Sequence, residues 1–270
     1  MFPAFLQSCS PDDPPAKTPE DTAPAESDAD TDADTDADTD ADTDVDAGYS
    51  LTGRAVSLLD GTAVTEGTVT VVDGAMLLAA EDPSSMADAN LAEDGTFTID
   101  GLPAPPVERY TLSLLVRGDE MTPSASVFLV ETVDGQVTDV DAGDVPVVTD
   151  ADEATLDEGL SLAGSVFTVV DDGALVGWVV DTAAEAVGGA TVSCSIGADT
   201  FYGDADSSDG LFSTAGFANA ATDAAAGGLF MIPGAPIATY QAEDGGSHTF
   251  DPLAVGSTAG QATLVTYPAQ

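Results

Sequence analysis

The stretch Gly95-Thr96-Phe97-Thr98-Ile99-Asp100-Gly101-Leu102-Pro103, leading into Tyr110-Thr111-Leu112, decides the fold. Phe97 and Ile99 alternate with Thr96, Thr98 and Asp100, the period-two pattern of a strand with one buried face. The flanking glycines and the Gly-Leu-Pro turn confine it to a few residues. The same grammar returns at Gly228-Leu229-Phe230-Met231-Ile232-Pro233-Gly234-Ala235-Pro236, leading to Tyr240. Upstream of each lies a second shared piece. Leu51-Thr52-Gly53-Arg54-Ala55-Val56 passes through Asp60-Gly61 to Gly67-Thr68-Val69-Thr70-Val71. Leu175-Val176-Gly177-Trp178-Val179-Val180 passes through Asp181 to Gly189-Ala190-Thr191-Val192. The chain body is therefore two copies of one pattern.

Spacing refines the repeat. The leading glycines are 14 residues apart in the first copy (Gly53 to Gly67) and 12 in the second (Gly177 to Gly189). From Gly53 to Phe97 is 44 residues and from Gly177 to Phe230 is 53, so the second copy is about nine residues longer. The excess falls in 199–227, rich in Ala, Asp, Ser and Gly. In the strand after Pro103, Tyr110, Leu112, Leu114 and Val116 are expected inward, with Thr111, Ser113 and Arg117 outward. Helical periodicity is hard to find, and the Ala-rich run 220–226 between glycines reads as a loop. The expected class is all-β, two tandem Greek-key-type sandwiches at residues 48–149 and 158–270.

This order of motifs resembles the carboxypeptidase regulatory-like domain, a transthyretin-like (prealbumin-like) β-sandwich. That family's pattern runs Gly-x-Val, an Asp turn, Gly-Ala-x-Val, then Gly-x-Phe-x-Ile, Gly-Leu-Pro and a Tyr strand. The first copy fits almost throughout; the second fits at both ends and is stretched in its middle. The resemblance implies a noncatalytic accessory, stalk or adhesion module. The zinc peptidase that often accompanies such domains needs two His ligands and a Glu, and this chain has one histidine, His248. The Lys–Asn isopeptide crosslink of related surface sandwiches is excluded in the body, because Lys17 is the only lysine.

Charge divides the 270 residues differently. There are 49 acidic and 4 basic side chains, a formal net charge of −45. Nucleic-acid binding is excluded, since phosphates need Lys and Arg to neutralise them. Fifteen acids lie in residues 11–46, and from Asp28 to Asp46 every second residue is aspartate. Such a segment cannot bury apolar area against the entropy of ordering. Residues 10–47 are thus expected to be a disordered, self-repelling tether. A loose Ca²⁺ or Mg²⁺ reservoir is the sharper reading there, but Asp42–Asp46 is followed by Ala47 where an EF-hand loop needs Gly.

Before the tether, Leu6-Gln7-Ser8-Cys9 resembles a bacterial lipobox, with Leu at −3 and a small residue at −1 of the lipidated cysteine; Gln7 departs from the usual pattern. Residues 1–9 then read as the remnant of a lipoprotein signal segment whose true start lies upstream of Met1. The alternative is an ordinary cysteine near a ragged terminus. Cys194, in Thr191-Val192-Ser193-Cys194, reads as a small inward-facing hydrophobe; a Cys9–Cys194 bridge is the competing reading. No apolar run is long enough for a transmembrane helix.

The sequence calls for no catalytic residue and no cofactor; Ca²⁺ is the one ion for which it offers a site. Asp204-Ala205-Asp206-Ser207-Ser208-Asp209-Gly210 sets the carboxylates of Asp204, Asp206 and Asp209 in a Gly-ended loop, one residue off EF-hand spacing and without the later bidentate Glu. The competing reading is a solvated insertion. His248, with no Gly-x-Ser-x-Gly elbow in the chain, reads as a turn histidine. Tyr49, Tyr202 and Trp178 are the candidates for stacking on sugars, although Trp178 shares its face with Val176 and Val180, which favours the core. The expected protein is a bacterial cell-envelope lipoprotein of the outer membrane or cell surface, with secretion as the alternative location. It is held by lipid at Cys9, is noncatalytic, and serves display or adhesion towards an unknown surface protein or glycan. A carbohydrate-binding surface module is the runner-up.

Overall fold

The computed structural model describes residues 48–74, 84–132, 137–206, 210–214, 217–218 and 220–270. The readings placed on Cys9, on residues 10–47 and on Asp209 lie outside the described residues. The fold is all-β, and the repeat seen in the sequence is a repeat of backbone register. In the first copy β1 (Tyr49–Ser57) pairs antiparallel with β4 (Thr96–Leu102), which sets Gly53 opposite Phe97. In the second, β9 (Ala174–Val180) pairs antiparallel with β14 (Leu229–Pro233), which sets Gly177 opposite Phe230. A Cβ on Gly53 would lie 2.7 Å from the Phe97 Cζ, and one on Gly177 2.6 Å from the Phe230 Cζ. Each ring lies over the glycine facing it, so no side chain fits there. The matching continues along both strand pairs. The Ala55 N–H donates to the Gly95 carbonyl at 2.9 Å, and the Val179 N–H to the Gly228 carbonyl at 3.1 Å.

Each copy builds a hydrophobic core between two sheets. The first lies between a four-stranded sheet, order β4-β1-β8-β6, and the strands β7-β5-β2-β3. Here β2 is Thr68–Asp73, β3 Ser85–Asn90, β5 Arg109–Arg117, β6 Met121–Thr122, β7 Ser124–Glu131 and β8 Val140–Thr149. Leu51, Phe97, Ile99, Leu112, Leu114 and Val116 fill it. The second core lies between the strands β11-β14-β9-β17 and a three-stranded sheet, order β10-β15-β16. Here β10 is Thr191–Cys194, β11 Phe201–Tyr202, β15 Ala238–Glu243, β16 Leu253–Val255 and β17 Ala262–Pro268. Leu175, Val179, Phe230, Ile232, Tyr240 and Tyr267 fill it. A separate two-stranded ribbon, β12 (Ser213–Thr214) with β13 (Phe217–Ala218), lies in the longer middle of the second copy.

The cores are not beads on a string. β17 runs parallel to β9 along its whole length and also pairs in parallel with β7 at Ala262↔Ser124, Thr263↔Ala125 and Leu264↔Ser126. One sheet of each copy thereby joins into a single eight-stranded sheet, order β11-β14-β9-β17-β7-β5-β2-β3.

A helix that periodicity did not predict closes the face of this sheet opposite the second core. Helix α1, Asp150–Leu162, follows β8 directly and buries Leu156 and Leu160 against Val176, Met231 and Leu264. Two leucines at i, i+4 among acids and glycine leave little amphipathic signal. The start is instead specified by a capping box between Thr149 and Asp152 and by acids in the first turn. The position at which the second sandwich was expected to begin, residue 158, falls inside this helix. A short helix α2, Val169–Asp172, leads into β9, and Ala224–Ala226 forms a single 3-10 turn.

The alternation expected in β5 holds for Leu112, Leu114 and Val116 inward and for Thr111 and Arg117 outward. Ser113 is the correction: it is fully buried, and its neighbour Leu115 packs with Val72 and Ala125 on the face expected to be wet. Both faces of the joined sheet are covered at its middle, so alternation fails there.

Candidate functional site

Asp152 is the most heavily ligated side chain described. Its carboxylate is 4% exposed and accepts from the Thr149 hydroxyl and N–H, the Ser57 hydroxyl, and the Leu58 and Leu59 N–H groups, at 2.9–3.2 Å. It caps α1 and holds the end of β1 to it. A buried carboxylate with five donors is a structural anchor, with no room for a substrate.

The residues singled out from sequence do not converge. Among the described residues, no group of three or more His, Cys, Asp or Glu side chains comes together. Asp204 and Asp206 sit beyond β11, where the Asp204 carboxylate accepts from the Asp206 N–H in an Asx turn. His248 closes a turn with Asp244, whose carboxylate accepts from the backbone N–H groups of Ser247 and His248 and contacts the imidazole Nδ1. The His248 N–H, then its ring, hold the Asp244 carboxyl below the usual carboxylate range. Cys194 is a half-buried free thiol packed against the second core.

The sugar-stacking candidates are corrected. Tyr49 and Tyr202 are 2% and 5% exposed, and Trp178 packs beside the α1 cluster as its face predicted. Tyr202 has a structural task instead: its hydroxyl bonds the N–H and carbonyl of Val192 on the outer edge of β10. Thr222 does the same at Ala190, accepting from the Ala190 N–H while its own hydroxyl donates to the Val187 carbonyl. The additional residues of the second copy thus blunt an edge that β3 covers in the first.

One concave feature was missed by sequence reasoning. After Ser126 and Leu264, β7 and β17 diverge, and a cavity lies on each face of the sheet at the parting. The larger, about 490 Å³, is walled by Arg109, Val127, Leu129, Leu253 and Tyr267. The smaller, about 160 Å³, is walled by Ser126, Phe128, Asp144 and Trp178. Leu129 is 44% exposed. Arg109 is engaged by Glu131 at 3.2 Å, and Arg54 makes a two-pronged pair with Asp144 at 2.9 and 3.1 Å. The only sequence signal was the unbroken apolar run Val127-Phe128-Leu129-Val130, which marks a strand contacted on both faces.

No family model and no curated protein matches the chain. Weak likeness to solved structures exists. The Bacillus anthracis TIE protein has 13% identity and a TM-score of 0.27, over 82% of this chain and 34% of that one. This chain thus spans about a third of that protein's length. The shaft pilin SpaA from Lactobacillus rhamnosus GG has 11% identity and a TM-score of 0.24, over 82% of this chain and 97% of that one. Klebsiella pneumoniae 5-hydroxyisourate hydrolase has 13% identity and a TM-score of 0.22, over 37% of this chain and 95% of that one. What the chain itself shows is an all-β sandwich protein whose two repeats share one sheet.

Proposed function

We propose that this chain is a noncatalytic structural and display module of a bacterial cell envelope. In this reading Cys9 carries the lipid anchor, residues 10–47 are the acidic spacer, and the units 48–149 and 158–270 are carboxypeptidase regulatory-like sandwiches presented at its end. The observation that carries it is the shared eight-stranded sheet. With β17 hydrogen-bonded to both copies and α1 pinned by Asp152, the two cores move as one stiff body, as a spacer or display element requires. The glycan reading is weaker, because Tyr49 and Tyr202 are buried and Trp178 is half-buried against the α1 cluster.

Stiffness is measurable. Spin labels at Thr98→Cys and Thr239→Cys, with Cys9 and Cys194 replaced by alanine, should give one narrow distance distribution; a broad one would falsify the rigid-body reading. The envelope assignment has its own test in the source cells. Mass spectrometry should find Cys9 acylated, and protease applied to intact cells should remove the body; an unmodified Cys9 on a fully protected protein ends the surface reading.

A further inference from the structure

β7 and β17 are joined for less than half of their length. The ladder covers Ser124–Ser126 against Ala262–Leu264, although β7 runs on to Glu131 and β17 to Pro268. The Ala262 N–H donates to the Pro123 carbonyl, and parallel pairing keeps that parity along both strands. It turns the backbone groups of Leu129 and Glu131 out of β7, and those of Thr266 out of β17, into the wedge between them. Among the described residues, no ladder reaches Leu129 or Thr266 from that side. Two unpaired strand edges therefore face each other inside a sheet, where edges are normally covered or charged.

We propose that this wedge is a docking site for an extended apolar peptide with basic flanks, supplied by a partner protein and bound by strand addition. The backbone edges supply hydrogen bonds, and the two cavities supply a place for the side chains. An added strand points alternate residues to opposite faces. One set meets the larger cavity at Val127, Leu129 and Leu253; the other meets the smaller at Phe128 and Trp178.

Charge selects the occupant. Outside residues 11–46 the chain carries 34 acids and three arginines. Arg109, at the mouth of the wedge, is already paired with Glu131, and Asp144 and Asp251 line the cavities. A second copy of this chain would bring the same −45 charge, and its own residues 11–46 a further run of acid, so both are repelled. Lysines or arginines beside an apolar strand are attracted. The site stands whether or not Cys9 is acylated, so failure of the anchor leaves it intact.

The test uses the full chain and a synthetic peptide of alternating valine and threonine flanked by lysines. Amide hydrogen exchange on the free protein should show Leu129 and Thr266 exchanging fast. With peptide they should slow by about tenfold or more, since only paired amides are protected. A peptide N-methylated on alternate amides should give no protection. A glutamate-flanked peptide should bind at least about tenfold more weakly, the gap narrowing as salt screens the field. Leu129→Lys, at an exposed position, should abolish binding with an unchanged melting temperature. Leu129→Pro should do the same by removing the edge amide without touching the β5 ladder. Protection of both amides in the free protein, equal binding of the N-methylated peptide, or protection that maps instead to the exposed Val166 and Phe167 would each overturn the proposal.

Discussion

The two cores share a kernel and differ at their edges. In both, a glycine on the first strand lies under a phenylalanine of its antiparallel neighbour, and the residue two positions on donates its N–H to a glycine just before that neighbour. The strand parallel to that first strand behaves differently. β8 slips register against β1 between Thr52 and Arg54, and its far edge is met only by the two-residue β6. β17 runs against β9 without a slip, and its far edge joins β7 of the other copy. The contrast teaches that the buried kernel fixes the sandwich, while the edge strand decides whether a sandwich ends or continues into another. Arg54 and Trp178 occupy equivalent places beside the paired glycines. The arginine forms a solvent-facing pair with Asp144, whereas the tryptophan packs where α1 covers the sheet.

The largest effect should come from the one joint that has no counterpart in the repeat. Asp152→Ala strands five donors, three of them at the end of β1, and should cost about 3–4 kcal/mol in urea unfolding. Asp152→Asn, which keeps an acceptor oxygen, should cost about half as much. An equal loss for the two variants would show that the charge itself holds the joint.

The glycine pair tests how alike the kernels are. At Gly177 a new methyl would meet the Phe230 ring and also the Val265 carbonyl oxygen at 2.6 Å, in a ladder with no slack. At Gly53 the backbone neighbour is the Gly143 carbonyl oxygen at 3.2 Å, beside the register slip. Gly177→Ala should therefore cost about 3 kcal/mol and Gly53→Ala about 1, read as shifts in the denaturant midpoint. Equal costs would mean that the slip gives the first core no room to adjust.

Alkaline pH separates the cores next. Burial, with Asp73 beside it, pushes the Tyr110 hydroxyl up to about 12 in the first core, and burial also raises Tyr49. In the second core burial raises Tyr202, Tyr240 and Tyr267. An unfolded tyrosine releases its proton near pH 10, earlier than these native ones. Their stabilisation is complete below about pH 10 and is lost as pH climbs through the raised folded values. The second core has more such groups, so Trp178 fluorescence should report its loosening first. Tyr267→Phe should flatten that alkaline loss and leave stability near neutrality unchanged or improved, because the Tyr267 hydroxyl is buried without a partner.

The smallest effect belongs to Arg54→Ala. Its pair with Asp144 is exposed, so removal should cost under about 1 kcal/mol and less at high salt.

Much of the kernel was legible in the sequence, and the reason is physical. A glycine under a ring, a turn at Asp-Gly and a tyrosine at a strand start are local requirements, and local requirements leave marks on consecutive residues. Helix α1 left almost none, since two leucines suffice for its buried face and its start rests on a cap that reads like a loop. Ser113 was misjudged because alternation assumes one wet face, and the outward face of β5 is buried here, where Leu115 packs with Val72 and Ala125. The wedge was out of reach altogether. It depends on where a parallel pairing between residues roughly 140 positions apart stops, and the only trace was an apolar run in β7.

The position of β17 in the chain has a consequence for the order of assembly. Both of its neighbours, β9 and β7, precede it, so a chain emerging from its N-terminus presents two complementary edges before the strand that bridges them exists. The first core has all of its strands by Thr149 and can close early, whereas the second stays open until Ala262–Pro268 arrives. During that interval the nascent body carries an exposed sheet edge, the kind of surface that recruits misplaced strands. The long-range parallel closure is then the slow event, and the acid on both copies keeps neighbouring chains apart while it is awaited.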